Sequence, residues 1–154
     1  MTPDPSLKRL LPPFLEGKVA LATYERWLQR KAAAHAKRDQ TRFNDWKSGS
    51  NYRNEIHHAV LLSGGKDAYT GEELDWSLLS KYNNEESKAG RHGYKAGFAL
   101  LPTVDHIESD NRIAAFCICS WRTNDAKHDL SIASFLQLCE KVLKHNGYSV
   151  SKDA

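Results

Sequence analysis

Apolar positions follow two different rhythms along this chain, and each predicts a different kind of element. Residues 19–39 are rich in Ala, Leu, Arg, Gln and Lys and contain neither Gly nor Pro, which predicts a long helix. Leu21, Tyr24, Leu28 and Ala32 step by three or four along one side of it, while Arg26, Arg30, Lys37 and Arg38 fall on other faces. Upstream, the apolar run 7–15 is broken by Pro12-Pro13 and followed by Gly17, so a short helical turn and a bend are expected. Lys47-Ser48-Gly49-Ser50 reads as a polar hinge, and residues 51–62 as a second helix closed by Ser63-Gly64-Gly65. Residues 69–74 predict a turn, 76–82 a short helix, and the polar stretch 83–93 an exposed loop.

The rhythm then changes. Residues 98–107 form a strand candidate, Glu108-Ser109-Asp110-Asn111 is turn chemistry, and 112–121 form a second strand, apolar on both faces and so expected between layers. Together they predict an antiparallel hairpin. Thr123 stands where a helix N-cap belongs, with Asn124 in the first turn beyond it. A last amphipathic helix over 131–145 is predicted to bury Phe135, Leu138, Cys139, Val142 and Leu143 and to stop before Gly147. The whole divides, on this reading, into a helical segment 1–65 and an α+β domain 66–154.

Composition narrows the class without identifying it. A hydrophobic content of 40% and a charged content of 27% fit an ordinary globular chain. No stretch approaches the ~20 apolar residues of a membrane span, and Met1-Thr2-Pro3-Asp4-Pro5 is unlike a secretory signal, so a cytoplasmic protein without a membrane partner is expected. Cys117, Cys119 and Cys139 are odd in number and lack metal-ligand spacing. Cys117 and Cys119 read as small core residues on one strand face. Trp27, Trp46, Trp76 and Trp121 read as packing anchors.

Charge is more informative by position than in total. Residues 1–60 carry eleven Lys/Arg against six Asp/Glu, whereas 61–154 carry eleven against thirteen. The surplus lies on the first helix, where Arg26, Arg30, Lys31, Lys37, Arg38 and Arg42 would suit a track of nucleic-acid phosphates.

The candidate chemistry lies in the hairpin. Asp105-His106 ends the first strand, and Asn124 opens a helix eighteen residues after His106. Asp105 carboxylate and Asn124 carbonyl are hard oxygen donors of the kind a Mg²⁺-like ion accepts alongside waters and phosphate. Neighbouring strand residues leave the backbone in different directions, which separates a metal ligand at Asp105 from a general base at His106. A neutral imidazole can take a proton from water attacking phosphorus, while a cation stabilises the leaving oxygen. Lys127 and His128 follow Asn124 by three and four residues, and are expected on its helical face as phosphate contacts. His128 could equally be a further metal ligand or a solvated residue. The adjacent His57-His58 reads as structural or exposed.

The order Tyr69-Thr70-Gly71-Glu72, Asp105-His106-Ile107 and Asn124-x-x-Lys127 resembles the HNH, or ββα-metal, endonucleases over about residues 66–146. The resemblance implies a ββα-metal core of hairpin plus helix, here with an N-terminal helical segment and a C-terminal packing helix. It implies one catalytic divalent cation, Mg²⁺ or Mn²⁺, with Asp105 and Asn124 as ligands and His106 as base. His128 matches a position where some bacteriocin-type members carry a further histidine. Double-stranded DNA is the expected substrate, with 5′-phosphate and 3′-hydroxyl products. Two positions depart from the pattern. The family's middle Asn, which pins the loop that orients the base, corresponds to Ala115, with Asn111 the candidate to replace it. The zinc-binding Cys pairs common in the family are missing, so no structural zinc is expected. A nucleic-acid-binding module that has lost catalysis, and a toxin nuclease acting on RNA, are the alternatives.

Overall fold

The structure, a computed structural model, describes residues 10–43, 49–81, 96–107 and 115–153. A short 3-10 turn, Pro13–Leu15, opens it, with Gly17 at φ +76° making the bend that the prolines and glycine predicted. The long helix follows as α1, Leu21–Phe43, and the second as α2, Gly49–Ser63. Gly64 and Gly65, at φ +59° and +87°, close α2, in the left-handed region that glycine enters without a Cβ penalty. Tyr24, Leu28 and Ala32 are buried as the periodicity required, but Leu21, at the first turn, is 43% exposed.

The hairpin is present and shorter than its apolar run. β1 covers Pro102–His106 and β2 covers Phe116–Ser120. They pair antiparallel, with Pro102 opposite Ser120, Asp105 opposite Cys117 and His106 opposite Phe116. Residues 98–101 turn instead of extending: Leu101 N–H donates to Phe98 carbonyl at 3.0 Å. Pro102, which has no N–H to extend a ladder, begins the strand. The expected loop 83–93, the turn 108–111 with Asn111, the first residues of the second strand, Lys47-Ser48 of the hinge, and Trp46 before it lie outside the described residues.

No loop separates β2 from the next helix, α3, Trp121–Lys127. Its cap is Ser120, not Thr123: Ser120 Oγ accepts Thr123 N–H at 3.0 Å and donates to Thr123 Oγ1 at 2.9 Å. The preceding N–H groups, of Trp121 and Arg122, donate to the carbonyls of Leu101 at 2.8 Å and Ala99 at 3.2 Å. The orphan donors of a helix start are thereby absorbed by the turn that leads into β1.

One core joins the early helices to the hairpin. Tyr24, Trp27 and Leu28 of α1, Ile56 of α2, Trp76 and Ile118 belong to the same buried cluster. Trp27 and Trp76 meet edge to face with ring centroids 5.6 Å apart, and removing either side chain would cost about 3–5 kcal/mol. Trp121 is half-buried. The expected division at residues 65/66 is not where the structure divides: Met1–Asn124 form one compact unit and Asp125–Ala154 a second. The core crosses position 65 because the hairpin's buried face has α2 packed against it.

The second unit contains the amphipathic helix α4, Ile132–His145, capped by Ser131 Oγ on Ser134 N–H at 3.1 Å. Its predicted burial is not found. None of its residues is buried; Phe135 and Cys139 are half-buried, whereas Leu138 and Val142 are 47% and 54% exposed. Amphipathic spacing specifies an apolar face but not what covers it. No helix among the described residues is long and apolar enough to cross a membrane.

Candidate active site

Asp105 and His106 leave β1 toward opposite faces, and each meets a different neighbourhood. Asp105 faces the loop that precedes the second 3-10 turn, Trp76–Ser80. Asp67 shapes that loop. Its Oδ1 accepts the N–H groups of Tyr69 and Thr70 at 2.8 and 3.2 Å, and its Oδ2 accepts Ser120 N–H at 3.0 Å. Gly71, at φ +75°, completes the turn, and Ala68 N–H donates to Ile118 carbonyl at 2.9 Å, fixing the loop to β2. Burial alone would raise the Asp67 carboxyl, but the bonds from Ser120 and Tyr69 outweigh it and hold the pKa below the usual carboxylate value.

The loop delivers Tyr69 to the end of β1. Its hydroxyl donates to Asp105 Oδ2 at 2.5 Å and accepts from Cys117 Sγ at 3.2 Å. Burial first, then the bonds to Asp105 and Cys117, push Tyr69 ionisation far above its ordinary range. Tyr69 is therefore a proton donor to the carboxylate. Asp105 itself is only 9% exposed.

His106 faces α1. Its ring meets Phe116 edge-on at 5.4 Å, and its Nε2 lies 3.9 Å from Asp39 Oδ2. Asp39 in turn accepts the hydroxyl of Tyr52, on α2, at 2.6 Å. Both ring nitrogens of His106 are buried and make no hydrogen bond among the described residues. His35 packs on the same Phe116 ring at 5.0 Å. Burial, then the charges of Arg38 and Lys31, lower its pKa to about 4. Lys31 Nζ donates to Thr103 Oγ1 at 3.0 Å, and burial followed by the charges of Arg30 and Arg38 brings it down to about 8. Lys31 thus departs from the expected phosphate track and turns inward.

The remaining expected residues are placed unevenly. Asn124 is half-buried at the fourth position of α3, and its side chain makes no hydrogen bond among the described residues. Lys127 is 5% exposed and belongs to the second unit. His128 does not share the helical face of Asn124. It lies past the end of α3 at φ +53°, largely exposed, with Nδ1 3.1 Å from Asp129 Oδ1. Arg26, Arg30, Lys37 and Arg38 are exposed as expected. Arg26 and Arg30 line a cleft of about 330 Å³ with Thr23, Gln29, Leu79 and Ser80. Among the described residues no three His, Cys, Asp or Glu side chains converge as a metal cage.

Sequence reasoning did not single out Asp39, Tyr52 or Tyr69 as individual contributors, and it read Cys117 only as filler. A signal for Asp39 was present: Lys31, His35 and Asp39 are polar at four-residue steps, turned to the interior of an otherwise well-patterned helix. Comparison of this chain with protein-family models, with curated proteins and with solved structures finds no match.

Proposed function

We propose that this protein is a metal-dependent endonuclease of HNH-like type, with an active site at the end of β1. The observation that carries the reading is the His106 imidazole. Its two ring nitrogens are buried and unbonded among the described residues, and it is adjacent to a carboxylate in a hairpin that runs directly into the helix bearing Asn124. A buried polar group without a partner is costly in a purely structural role, but suits a base whose partner is an incoming water. His106 takes the proton of that water as it attacks phosphorus. Asp105, held by Tyr69, and Asn124 supply hard oxygen atoms that fit a Mg²⁺-like cation with open positions left for water and phosphate. When bound, such a cation supplies positive charge at the leaving oxygen. Arg26, Arg30, Lys37 and Arg38 contribute an exposed basic face for backbone phosphates.

Nicking of supercoiled plasmid DNA in Mg²⁺ or Mn²⁺ tests the reading. Wild type is expected to cut, and His106→Ala to lose cutting at an unchanged melting temperature. Equal cutting by His106→Ala would remove the base. The bond from Tyr69 to Asp105 favours a second reading, a binding module whose carboxylate is structural. That module would retard DNA in gels without cutting DNA or RNA under either cation, and a parallel RNA substrate separates the RNA-directed alternative.

A further inference from the structure

We infer, resting on the nuclease reading above, that Asp39 of α1 is the positioning residue of His106, so that the active site extends into the N-terminal helices. Three steps of one helix set up the pair. Lys31, His35 and Asp39 lie four residues apart and meet, in turn, Thr103 at 3.0 Å, the Phe116 ring at 5.0 Å and His106 at 3.9 Å. Eight helical residues rise about 12 Å, and the three strand residues from Thr103 to His106 span about 10 Å. The two lengths are similar, so residues eight apart on α1 reach both Thr103 and His106, which leave β1 on opposite sides.

The carboxylate is also held from a second side. Tyr52, 1% exposed on α2, donates at 2.6 Å to the same oxygen that faces His106 Nε2. His35, one turn back on α1, is kept neutral chiefly by its burial, with Asp39 pulling the other way as a smaller effect. A separation of 3.9 Å is a charge contact and not yet a hydrogen bond. Such contacts tighten when substrate arrives. A carboxylate on the Nε2 side holds the ring in one tautomer, leaves Nδ1 to accept the proton, and stabilises the positive charge the ring then carries.

Plasmid cleavage by the full chain tests this, comparing wild type, Asp39→Asn, Asp39→Glu, His106→Ala and the double variant Asp39→Asn/His106→Ala. Asp39→Asn is expected to lower kcat about 100-fold with KM and melting temperature unchanged. Asp39→Glu should recover part of that loss. Added to His106→Ala, Asp39→Asn should cost nothing more, because the carboxylate works only through the ring. Wild-type kcat in Asp39→Asn, or a further drop on top of His106→Ala, would overturn the assignment. If wild type cuts neither DNA nor RNA, the nuclease reading fails by itself. The pair is then decided by nitrogen-edited NMR at one fixed, mildly acid pH. A slowly exchanging His106 ring N–H signal erased by Asp39→Asn supports it, and identical ring signals in the two proteins overturn it.

Discussion

Asp67 gathers three backbone N–H groups onto one buried carboxylate, and two expectations follow at the scale of single residues. Asp67→Ala leaves those donors unsatisfied and is expected to cost about 2–3 kcal/mol in urea denaturation. Because its folded pKa is depressed, its contribution is present above the unfolded value of 3.8 and is lost as pH falls below it. His35 acts in a different window. Its folded pKa of about 4 lies below the unfolded 6.5, so its contribution is full above pH 6.5 and declines between 6.5 and about 4. The loss is on the order of 3 kcal/mol. Stability of His35→Leu measured across that window should be flatter than wild type; an equally steep decline would show that another group is responsible. At this scale the sequence exposed Asp105-His106 because an acid and an imidazole end an apolar strand. Asp39 was hidden because a polar residue on a helix ordinarily faces water; here it is only about one-sixth exposed. Ala115 has no side-chain hydrogen-bonding group, and the Asp39 carboxylate comes within 3.9 Å of His106 Nε2 from α1.

Among elements, existence was easier to read than extent. The apolar rhythms located α1, α2, the hairpin and α4, yet Pro102 delayed β1 and Ser120 moved the start of α3 three residues upstream of the anticipated Thr123 cap. Both displacements come from backbone hydrogen bonding, which hydrophobic spacing does not encode. Ser120→Ala should cost about 1 kcal/mol as a lost cap, with Thr123→Ala costing less. The reverse order in thermal melts would restore Thr123 as the cap. α4 was legible as a helix, but its partner was not, since an apolar stripe carries no address. Leu136 is 59% and Val142 54% exposed, so Leu136→Ser and Val142→Ser should each change stability by less than about 0.5 kcal/mol. A loss of several times that would mean the stripe is covered in solution.

For the molecule as a whole, the core is the property least visible from local pattern. Trp76, Val104, Phe116 and Ile118 are buried in the same cluster as Tyr24, Trp27 and Ile56, although the chain looked divisible between them. The fragment 66–154 is therefore expected not to fold alone, giving collapsed amide dispersion in NMR, whereas an independently folded domain would give sharp, spread signals. One helix, α1, thus carries Arg26, Arg30, Lys37 and Arg38 outward and Asp39 inward toward His106.

Ser63-Gly64-Gly65 has the composition of a joint, but its last glycine sits at a crowded crossing. Gly65 carbonyl accepts both Leu74 N–H at 3.0 Å and Trp76 Nε1 at 3.2 Å. A Cβ added there would meet the Phe14 ring at 3.2 Å. This linker-like tract is thus a poor place for a protease to nick, for a tag to be spliced in, or for a circular permutant to begin.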